Sequence, residues 1–174
     1  MRIGRLANGR TYRVMRIVLN TSPIIFLGKI NRLNLLEHCA SHIVTPKNVA
    51  LELGDYELPD FIHVESLSMV GLAYVKGAMG RLHEGELSAI VIAQELAADF
   101  VILDDLLARQ KAQHLKINVI GTLGLLLLMA KRELLSPQQV WLNITELTQL
   151  HGMYLSPKII REIKAKLFVQ DSLS

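Results

Sequence analysis

The sequence predicts a single α/β domain in three layers, α/β/α, with a central parallel sheet of four to five short strands and a helical C-terminal end. Three observations lead to this class. Short, continuously apolar runs alternate with longer amphipathic segments, which is typical of a parallel sheet covered by helices on both faces. The chain has 174 residues, a length that suits one domain. It contains no internal repeat and no low-complexity linker that would divide it.

The N-terminal half contains three candidate strands. The first stops at Thr21-Ser22-Pro23, where a hydroxyl side chain can cap a helix and proline fits the first helical turn. The predicted elements are a strand at 16–20, a helix that bends or ends near Gly28 and Asn31, a strand at 41–45, a helix at 46–53, and a short strand or extended connection at 61–65.

The C-terminal half is mostly helical, with two further strands. The strand at 100–103 is fully apolar and ends in Asp104-Asp105. Thr122 is expected to cap the leucine-rich helix that follows the last strand. The predicted elements are helices at 67–80 and 84–98, a strand at 100–103, a helix at 106–114, a strand at 117–120, and helices at 122–131, 137–150 and 156–168.

Composition excludes several classes of protein. Half of the residues (51%) are hydrophobic and only 20% are charged, so the chain is too apolar to be disordered. The single cysteine, Cys39, excludes a disulfide scaffold and a cysteine-based zinc module, and it suits a cytoplasmic protein. The most apolar stretch, 117–130, has 14 residues, whereas a membrane span needs about 20. We therefore expect no membrane segment.

The basic residues are unevenly distributed. Residues 1–14 carry four arginines and no acid, whereas residues 15–174 hold 15 basic and 16 acidic side chains. The first 14 residues are expected to be a basic tail, either disordered or an over-called gene start, because Met15 directly precedes the first strand. A nucleic-acid-binding arm is the other interpretation. Residues 15–174 are then the single folded domain, and the overall charge of +3 does not by itself indicate nucleic-acid binding.

Polar and acidic residues follow two of the predicted strands. In an open parallel sheet, ligands bind beyond the carboxyl ends of the strands. Asn20, Thr21 and Ser22 follow the first strand, and Asp104 and Asp105 follow the fourth. Two helices contribute acids within apolar sequence. Glu52 lies beside Val49, Leu51 and Leu53, which are expected to be buried, and Glu86 stands at the start of a helix that leads back to Asp104.

Carboxylates gathered in one cleft repel each other and lose hydration, and a hard divalent cation is a common reason to tolerate both costs. Mg²⁺ and Mn²⁺ take oxygen ligands, often together with substrate phosphate. The matching chemistry is metal-assisted hydrolysis of a phosphodiester. The other interpretation is that each acid is a solvated charge, or a charge favoured by a helix N-terminus.

Other candidate residues carry weaker signals. His38, Cys39 and His42 lack a second ligand pair, so a metal role is not expected for them. Residues 121–124 open a helix and either hold a phosphate or allow close packing. Residues 67–80 form either a core helix or a face for a dimer or partner protein. Four basic side chains follow the strand ends, namely Lys29, Arg32, Arg109 and Lys111. They either contact RNA phosphates or are ordinary solvated charges. The aromatic residues are scattered and form no platform for stacking bases.

Four segments, in this order and spacing, resemble the PIN-domain superfamily of metal-dependent ribonucleases. They are LNTSPIIFLGKI at 19–30, TPKNVALEL at 45–53, GELSAIVIAQELAADFVILDD at 85–105 and INVIGTLGLLLLMAKRELL at 117–135. The resemblance extends from residue 16 to about residue 168. It implies a parallel sheet flanked by helices, in agreement with the pattern of apolar runs.

The resemblance also implies a site and a function. Its acidic positions fall on Asn20, Glu52, Glu86 and Asp104, with Asp105 adjacent, as ligands of Mg²⁺ or Mn²⁺, and the catalytic acids are Glu52, Glu86 and Asp104. The hydroxyl beside the first position falls on Thr21 or Ser22. These two residues, together with Lys29 and Arg109, which follow the strand ends, are the candidate contacts to an RNA substrate. Many relatives are toxins of toxin–antitoxin pairs, which implies a small antitoxin partner, and others process RNA. Relatives are often dimers, which implies a homodimer.

One position departs from the pattern of the family. Active nucleases usually have aspartate at the first acidic position, where this chain has Asn20. Asparagine keeps a carbonyl oxygen that can bind a cation but removes one negative charge. Two functions therefore remain open, a ribonuclease with weakened metal affinity and a PIN-like module that binds RNA or protein without cleaving.

Overall fold

The computed structural model describes residues 3–5, 11–13, 15–78 and 80–168. Its main sheet is parallel and five-stranded, in the order β5-β4-β3-β6-β7. The strands are β3 (Arg16–Leu19), β4 (His42–Pro46), β5 (Ile62–Glu65), β6 (Phe100–Ile102) and β7 (Val119–Ile120). Two short N-terminal strands, β1 (Ile3–Arg5) and β2 (Thr11–Arg13), pair antiparallel with each other.

Eight α-helices occupy the described chain. They are α1 (Thr21–Lys29), α2 (Lys47–Glu52), α3 (Met69–Ala78), α4 (Glu84–Glu95), α5 (Leu106–His114), α6 (Thr122–Lys131), α7 (Pro137–Gln149) and α8 (Pro157–Phe168), with a 3₁₀ helix at Leu33–His38. Ser136 caps α7, because its hydroxyl accepts a hydrogen bond from the Gln139 N–H at 3.2 Å. From β3 to α8, the order of strands and α-helices agrees with the prediction from sequence.

Strand β3 lies at the centre of the sheet and is buried on both faces. Ile17 and Leu19 belong to one hydrophobic core with α1, α6, α7 and α8, whereas Val18 belongs to a second core with α4 and α5. Successive side chains of a strand point to opposite faces, so a continuously apolar run supplies both cores at once. The three-layer α/β/α architecture predicted from these runs is confirmed.

The chain turns sharply after α1. The helix ends at Lys29, and Asn31 adopts a left-handed conformation with φ of 54°. Asparagine enters this region more readily than most residues, which explains why the helical pattern breaks here. The bend expected near Gly28 and Asn31 is therefore present.

Three local expectations are wrong. Neither Thr21 nor Ser22 caps α1, because Asn20 occupies its N-cap position without a side-chain hydrogen bond and Thr21 is the first helical residue. Leu51 was expected to be buried beside Glu52, but it is 70% exposed because α2 packs mainly through Val49. Thr122 does not cap α6, since Gly121 occupies the N-cap position and Thr122 is the first helical residue.

The N-terminal segment is only partly described. Residues 3–5 and 11–13 form the β1–β2 hairpin, whereas residues 1–2, 6–10 and 14 lie outside the described residues. The expectation of a basic tail or an over-called start therefore stays a prediction. No helix within the described ranges is long and apolar enough to cross a membrane.

Candidate metal centre at the carboxyl edge of the sheet

Asn20 lies at the carboxyl end of the central strand, and its side chain is enclosed by protein. It is 6% exposed, and its main-chain N–H donates to the Ile102 carbonyl at 3.3 Å. The side-chain Oδ1 is buried and accepts no hydrogen bond from any described residue. A buried acceptor without a partner costs free energy, on the order of 1–3 kcal/mol. Such an atom calls for an explanation, and a bound ion is one.

Glu52 reaches the same place from α2. Its carboxylate accepts a hydrogen bond from the hydroxyl of Thr21, the first residue of α1. A Cβ atom built on Gly85 would lie 3.1 Å from Glu52 Oε2 and 3.5 Å from Asn20 Oδ1. The two oxygens therefore face the same point on α4. The absence of a side chain at Gly85 keeps that space open.

Glu86 follows Gly85 in the first turn of α4 and is half-buried. Its Oε2 accepts a hydrogen bond from the His83 N–H at 3.0 Å, which ties the carboxylate to the start of its own helix. Burial raises the pKa of Glu86, and this hydrogen bond opposes the shift. The negative charges of Asp105 and Glu52 raise the pKa further. Glu86 thus lies within electrostatic range of both carboxylates.

Asp105 is the N-cap of α5. Its Oδ1 accepts a hydrogen bond from the Ala108 N–H at 2.8 Å. The cap fixes the exposed carboxylate beside the end of β6, where it repels Glu86. The structure therefore brings Asn20, Glu52, Glu86 and Asp105 to one edge of the sheet.

Asp104 is engaged elsewhere. Its Oδ1 accepts the Thr122 N–H at 2.8 Å, and its Oδ2 accepts the Thr122 hydroxyl at 2.7 Å. Burial raises the pKa of Asp104, and the two Thr122 hydrogen bonds and the positive charge of Arg109 oppose that shift. Asp104 joins β6 to α6, whereas its neighbour Asp105 is the aspartate that interacts with Glu86.

The remaining predicted contact residues separate into two groups. Thr21 and Ser22 lie in the first turn of α1, beside the candidate centre, and Arg109 lies one turn into α5. Lys29 is the last residue of α1, about 12 Å along the helix axis from Thr21. The structure thus places Lys29 away from the acids.

Two supporting residues had no place in the sequence prediction, Asn48 and Ser88. Asn48 Nδ2 donates to Glu84 Oε1 at 2.9 Å and to Ser88 Oγ at 3.0 Å. These hydrogen bonds join α2 to α4, the helices that carry Glu52 and Glu86. A serine among the apolar residues of α4 is the available sequence signal, because a fully buried hydroxyl needs a partner.

The donors at this edge suit a hard divalent cation. All are oxygens, three of the four are carboxylates, and the amide oxygen of Asn20 has no partner. No three His, Cys, Asp or Glu side chains of the described chain lie close enough together to form a metal-binding group by themselves. Glu52, Glu86 and Asp105 therefore share one edge of the sheet without forming such a group.

The protein is thus a three-layer α/β protein whose candidate site, rich in oxygen donors, lies at the carboxyl edge of the sheet. A family model described as a PIN domain, DUF3368, matches residues 16–168, and the chain belongs to this family. PIN domains are generally nucleases and generally depend on a divalent metal. The searches of curated proteins and of solved structures gave no significant match. The resemblance stated from the four sequence segments is confirmed.

Proposed function

We propose that this protein is a ribonuclease that uses Mg²⁺ or Mn²⁺ to hydrolyse phosphodiester bonds of RNA. The proposed ligands are Asn20, Glu52, Glu86 and Asp105. The single observation that carries the proposal is the buried, unpartnered Oδ1 of Asn20, which lies beside Glu52 over Gly85. Membership of the PIN family supports nuclease chemistry.

The electrostatics of the edge support a cation. Burial raises the pKa of Glu86, the negative charges of Asp105 and Glu52 raise it further, and a divalent ion would remove most of that repulsion. When bound, the ion supplies positive charge that lowers the pKa of a water molecule and stabilises the leaving oxygen of the phosphodiester.

The protein groups have separate roles in this proposal. Thr21 holds the Glu52 carboxylate through its hydroxyl, and Asp105 is held by its N-cap hydrogen bond. Asp104, which the family resemblance implies as a ligand, is proposed as a positioning residue because Thr122 holds both of its oxygens at the start of α6 and its charge is not among those that shift the pKa of Glu86.

The test is an RNA cleavage assay with Mn²⁺, Mg²⁺ or EDTA on the wild type and on Glu86→Gln. We expect cleavage by the wild type with metal, and its loss in EDTA and in the variant. Cleavage that persists in both would point to a contaminating nuclease. Density for a metal in a Mn²⁺-soaked crystal, placed away from Asn20, Glu52 and Glu86, would contradict the site.

The second candidate function is a module that binds RNA or protein without cleaving it. The observation that favours it is again Asn20, which supplies no negative charge where active relatives are expected to have aspartate. Asn20→Asp separates the two functions. An inactive wild type with cleavage gained in Asn20→Asp would support the binding module, whereas an active wild type excludes it.

We further propose that the protein is a cytoplasmic toxin of a toxin–antitoxin pair and acts as a homodimer. Helix α3 supports an interface, since Met69 and Val70 are 89% and 80% exposed. A small open reading frame next to the gene, whose product co-purifies with this chain and blocks its cleavage of RNA, would support the pairing. A monomer by light scattering would contradict the dimer.

A further inference from the structure

Arg109 provides a positive charge on the β7 side of the candidate centre. It lies on α5, one helical turn after Asp105, and is half-buried. A Cβ atom built on Gly121 would lie 3.0 Å from an Arg109 terminal nitrogen and 2.7 Å from Asp104 Oδ1. The guanidinium therefore passes directly over the start of α6, close to the Asp104 carboxylate.

The guanidinium keeps its hydrogen-bonding capacity. Asp104 attracts it electrostatically, but both Asp104 oxygens accept hydrogen bonds from Thr122. Among the described residues, Arg109 forms no side-chain hydrogen bond and no ion pair within 4.0 Å. Its side chain has five N–H donors in a planar fork that matches phosphate oxygens. A half-buried guanidinium held in place with free donors is suited to an anionic ligand.

A groove runs past Arg109 and reaches the acidic edge at Asp104 and Asp105, whereas Asn20, Glu52 and Glu86 do not line it. It has a volume of about 810 Å³ and opens between α5, α6 and α8, with Asp105, Arg109 and Gly121 in its lining. Because β6 and β7 are neighbours in the sheet, Asp105 and Gly121 follow each other along the same edge. A chain-like ligand held at the acids and extending towards β7 would meet Arg109 next.

We infer that Arg109 binds a backbone phosphate of single-stranded RNA, one next to the phosphate that is cleaved, and that Asp104 and Gly121 position its guanidinium. The inference rests on the proposed function for the identity of the ligand. It makes Arg109 a binding residue and Asp104 a positioning residue, and it gives the RNA a direction across the sheet edge, from β3 towards β7.

The test is a binding assay with a labelled hexaribonucleotide in EDTA, in which no metal-dependent cleavage occurs. The RNA is used as such and as a series in which one phosphate at a time is replaced by an uncharged methylphosphonate. The proteins are the wild type, Arg109→Gln, Arg109→Lys, Asp104→Asn and Arg161→Gln, whose arginine is exposed on α8 and serves as the matched control.

We expect Arg109→Gln to weaken binding about tenfold and to lower the slope of log affinity against log salt by about 0.7, the value for one phosphate contact on a single strand. One methylphosphonate position should weaken the wild type by a similar factor and leave Arg109→Gln unaffected. Arg109→Lys should keep part of the affinity, and Asp104→Asn should lose part of it at the same position. Arg161→Gln should match the wild type.

Two outcomes would overturn the inference. One is unchanged binding by Arg109→Gln, and the other is a loss that is equal at every phosphate position, as a general folding defect would give. Mn²⁺ affinity without RNA distinguishes this failure from failure of the proposed function. A wild type that binds no Mn²⁺ but shows the position-specific coupling refutes the metal centre and supports the role of Arg109 in binding phosphate. A wild type that binds Mn²⁺ but shows no position-specific coupling supports the metal centre and refutes the role of Arg109.

Discussion

Asp104 accepts both hydrogen bonds that the first residue of α6 can donate, from the Thr122 main-chain N–H at 2.8 Å and from the Thr122 hydroxyl at 2.7 Å. The two residues are 18 positions apart, and Thr122 is fully buried. This pair fastens the end of β6 to the start of α6. Neighbouring aspartates at the end of one strand thus have different tasks, since Asp105 faces the acids and Asp104 holds the scaffold beside them.

Thr122→Val should lower the free energy of unfolding. The variant removes one of the two hydrogen bonds and leaves a buried carboxylate oxygen of Asp104 without its donor, at a cost of about 1–3 kcal/mol. Urea unfolding measures the change. Thr148→Val is the control, because the Thr148 hydroxyl bonds only to carbonyls of its own helix, and it should change stability by less. Equal losses in the two variants would refute a special role for the Asp104–Thr122 pair.

Gly85→Ala should weaken metal binding without unfolding the protein. The new methyl group would lie 3.1 Å from Glu52 Oε2 and would displace that carboxylate from Asn20. We expect Mn²⁺ affinity to fall by about ten- to a hundredfold, as for other losses of support around a metal. Titration calorimetry measures it. Gly77→Ala, where no atom lies within 4 Å of the new methyl group, should bind Mn²⁺ like the wild type.

Gly71→Ala should loosen the contact between α3 and α4. A Cβ atom there would clash with Glu95 Oε1 and would lie 2.9 Å from Val91 Cγ1, so the Glu95 side chain must move and the contact with Val91 must widen. Overpacking of this kind costs about 1–3 kcal/mol, measured by thermal or urea unfolding. Gly77→Ala on the same helix adds helix propensity without a clash and should not destabilise the protein. Unchanged stability of Gly71→Ala would show that α3 is not held closely.

Glu86→Gln should stabilise the metal-free protein at neutral pH. Folding raises the pKa of Glu86, so its contribution to stability is present below its ordinary pKa of 4.5 and is lost as the pH rises through the folded value. Glutamine does not ionise, so the variant does not lose this stability as the pH rises. The Tm of the variant should therefore exceed that of the wild type at pH 7, and the difference should vanish below pH 4.5.

Saturating Mn²⁺ should reverse this order at pH 7, because the wild type gains stability from a ligand that the variant binds weakly. A variant that is less stable than the wild type at pH 7 without metal would contradict the proposed repulsion between Glu86, Glu52 and Asp105.

Asn20→Asp should raise the affinity for Mn²⁺ by about tenfold, which corresponds to about 1.4 kcal/mol, because it adds one negative charge to the donor set. The same charge is buried near like charges, so the metal-free variant should be less stable than the wild type. Calorimetric titration and thermal unfolding measure the two effects. An unchanged Mn²⁺ affinity would show that residue 20 is not a ligand.

The strands and helices could be predicted because their signals are local. The run at 16–20, for example, has apolar residues for both faces and stops at a helix cap, and β3 and α1 follow that pattern. The edge that collects Asn20, Glu52 and Glu86 also follows from the rule that ligands bind beyond the carboxyl ends of parallel strands.

The roles of individual side chains within the edge could not be predicted in the same way. Asp104 and Asp105 are adjacent in sequence, and only the position of Thr122, 18 residues later, distinguishes them. The importance of Gly85 depends on how closely α2 packs against α4, a contact that Asn48 makes through Ser88. Such information is set by tertiary contacts and has no periodic signature in the chain.

The central position of β3 also has a consequence during synthesis on the ribosome. Ile17 pairs on one side with Ile43, but its partner on the other side is Phe100, 83 residues later. At about 5–20 residues per second, translation needs roughly 4–17 s to supply that partner. Until then the nascent chain has an open hydrogen-bonding edge on its central strand and lacks Asp105. The protein thus acquires the second neighbour of its central strand and its complete acidic edge in the same late step.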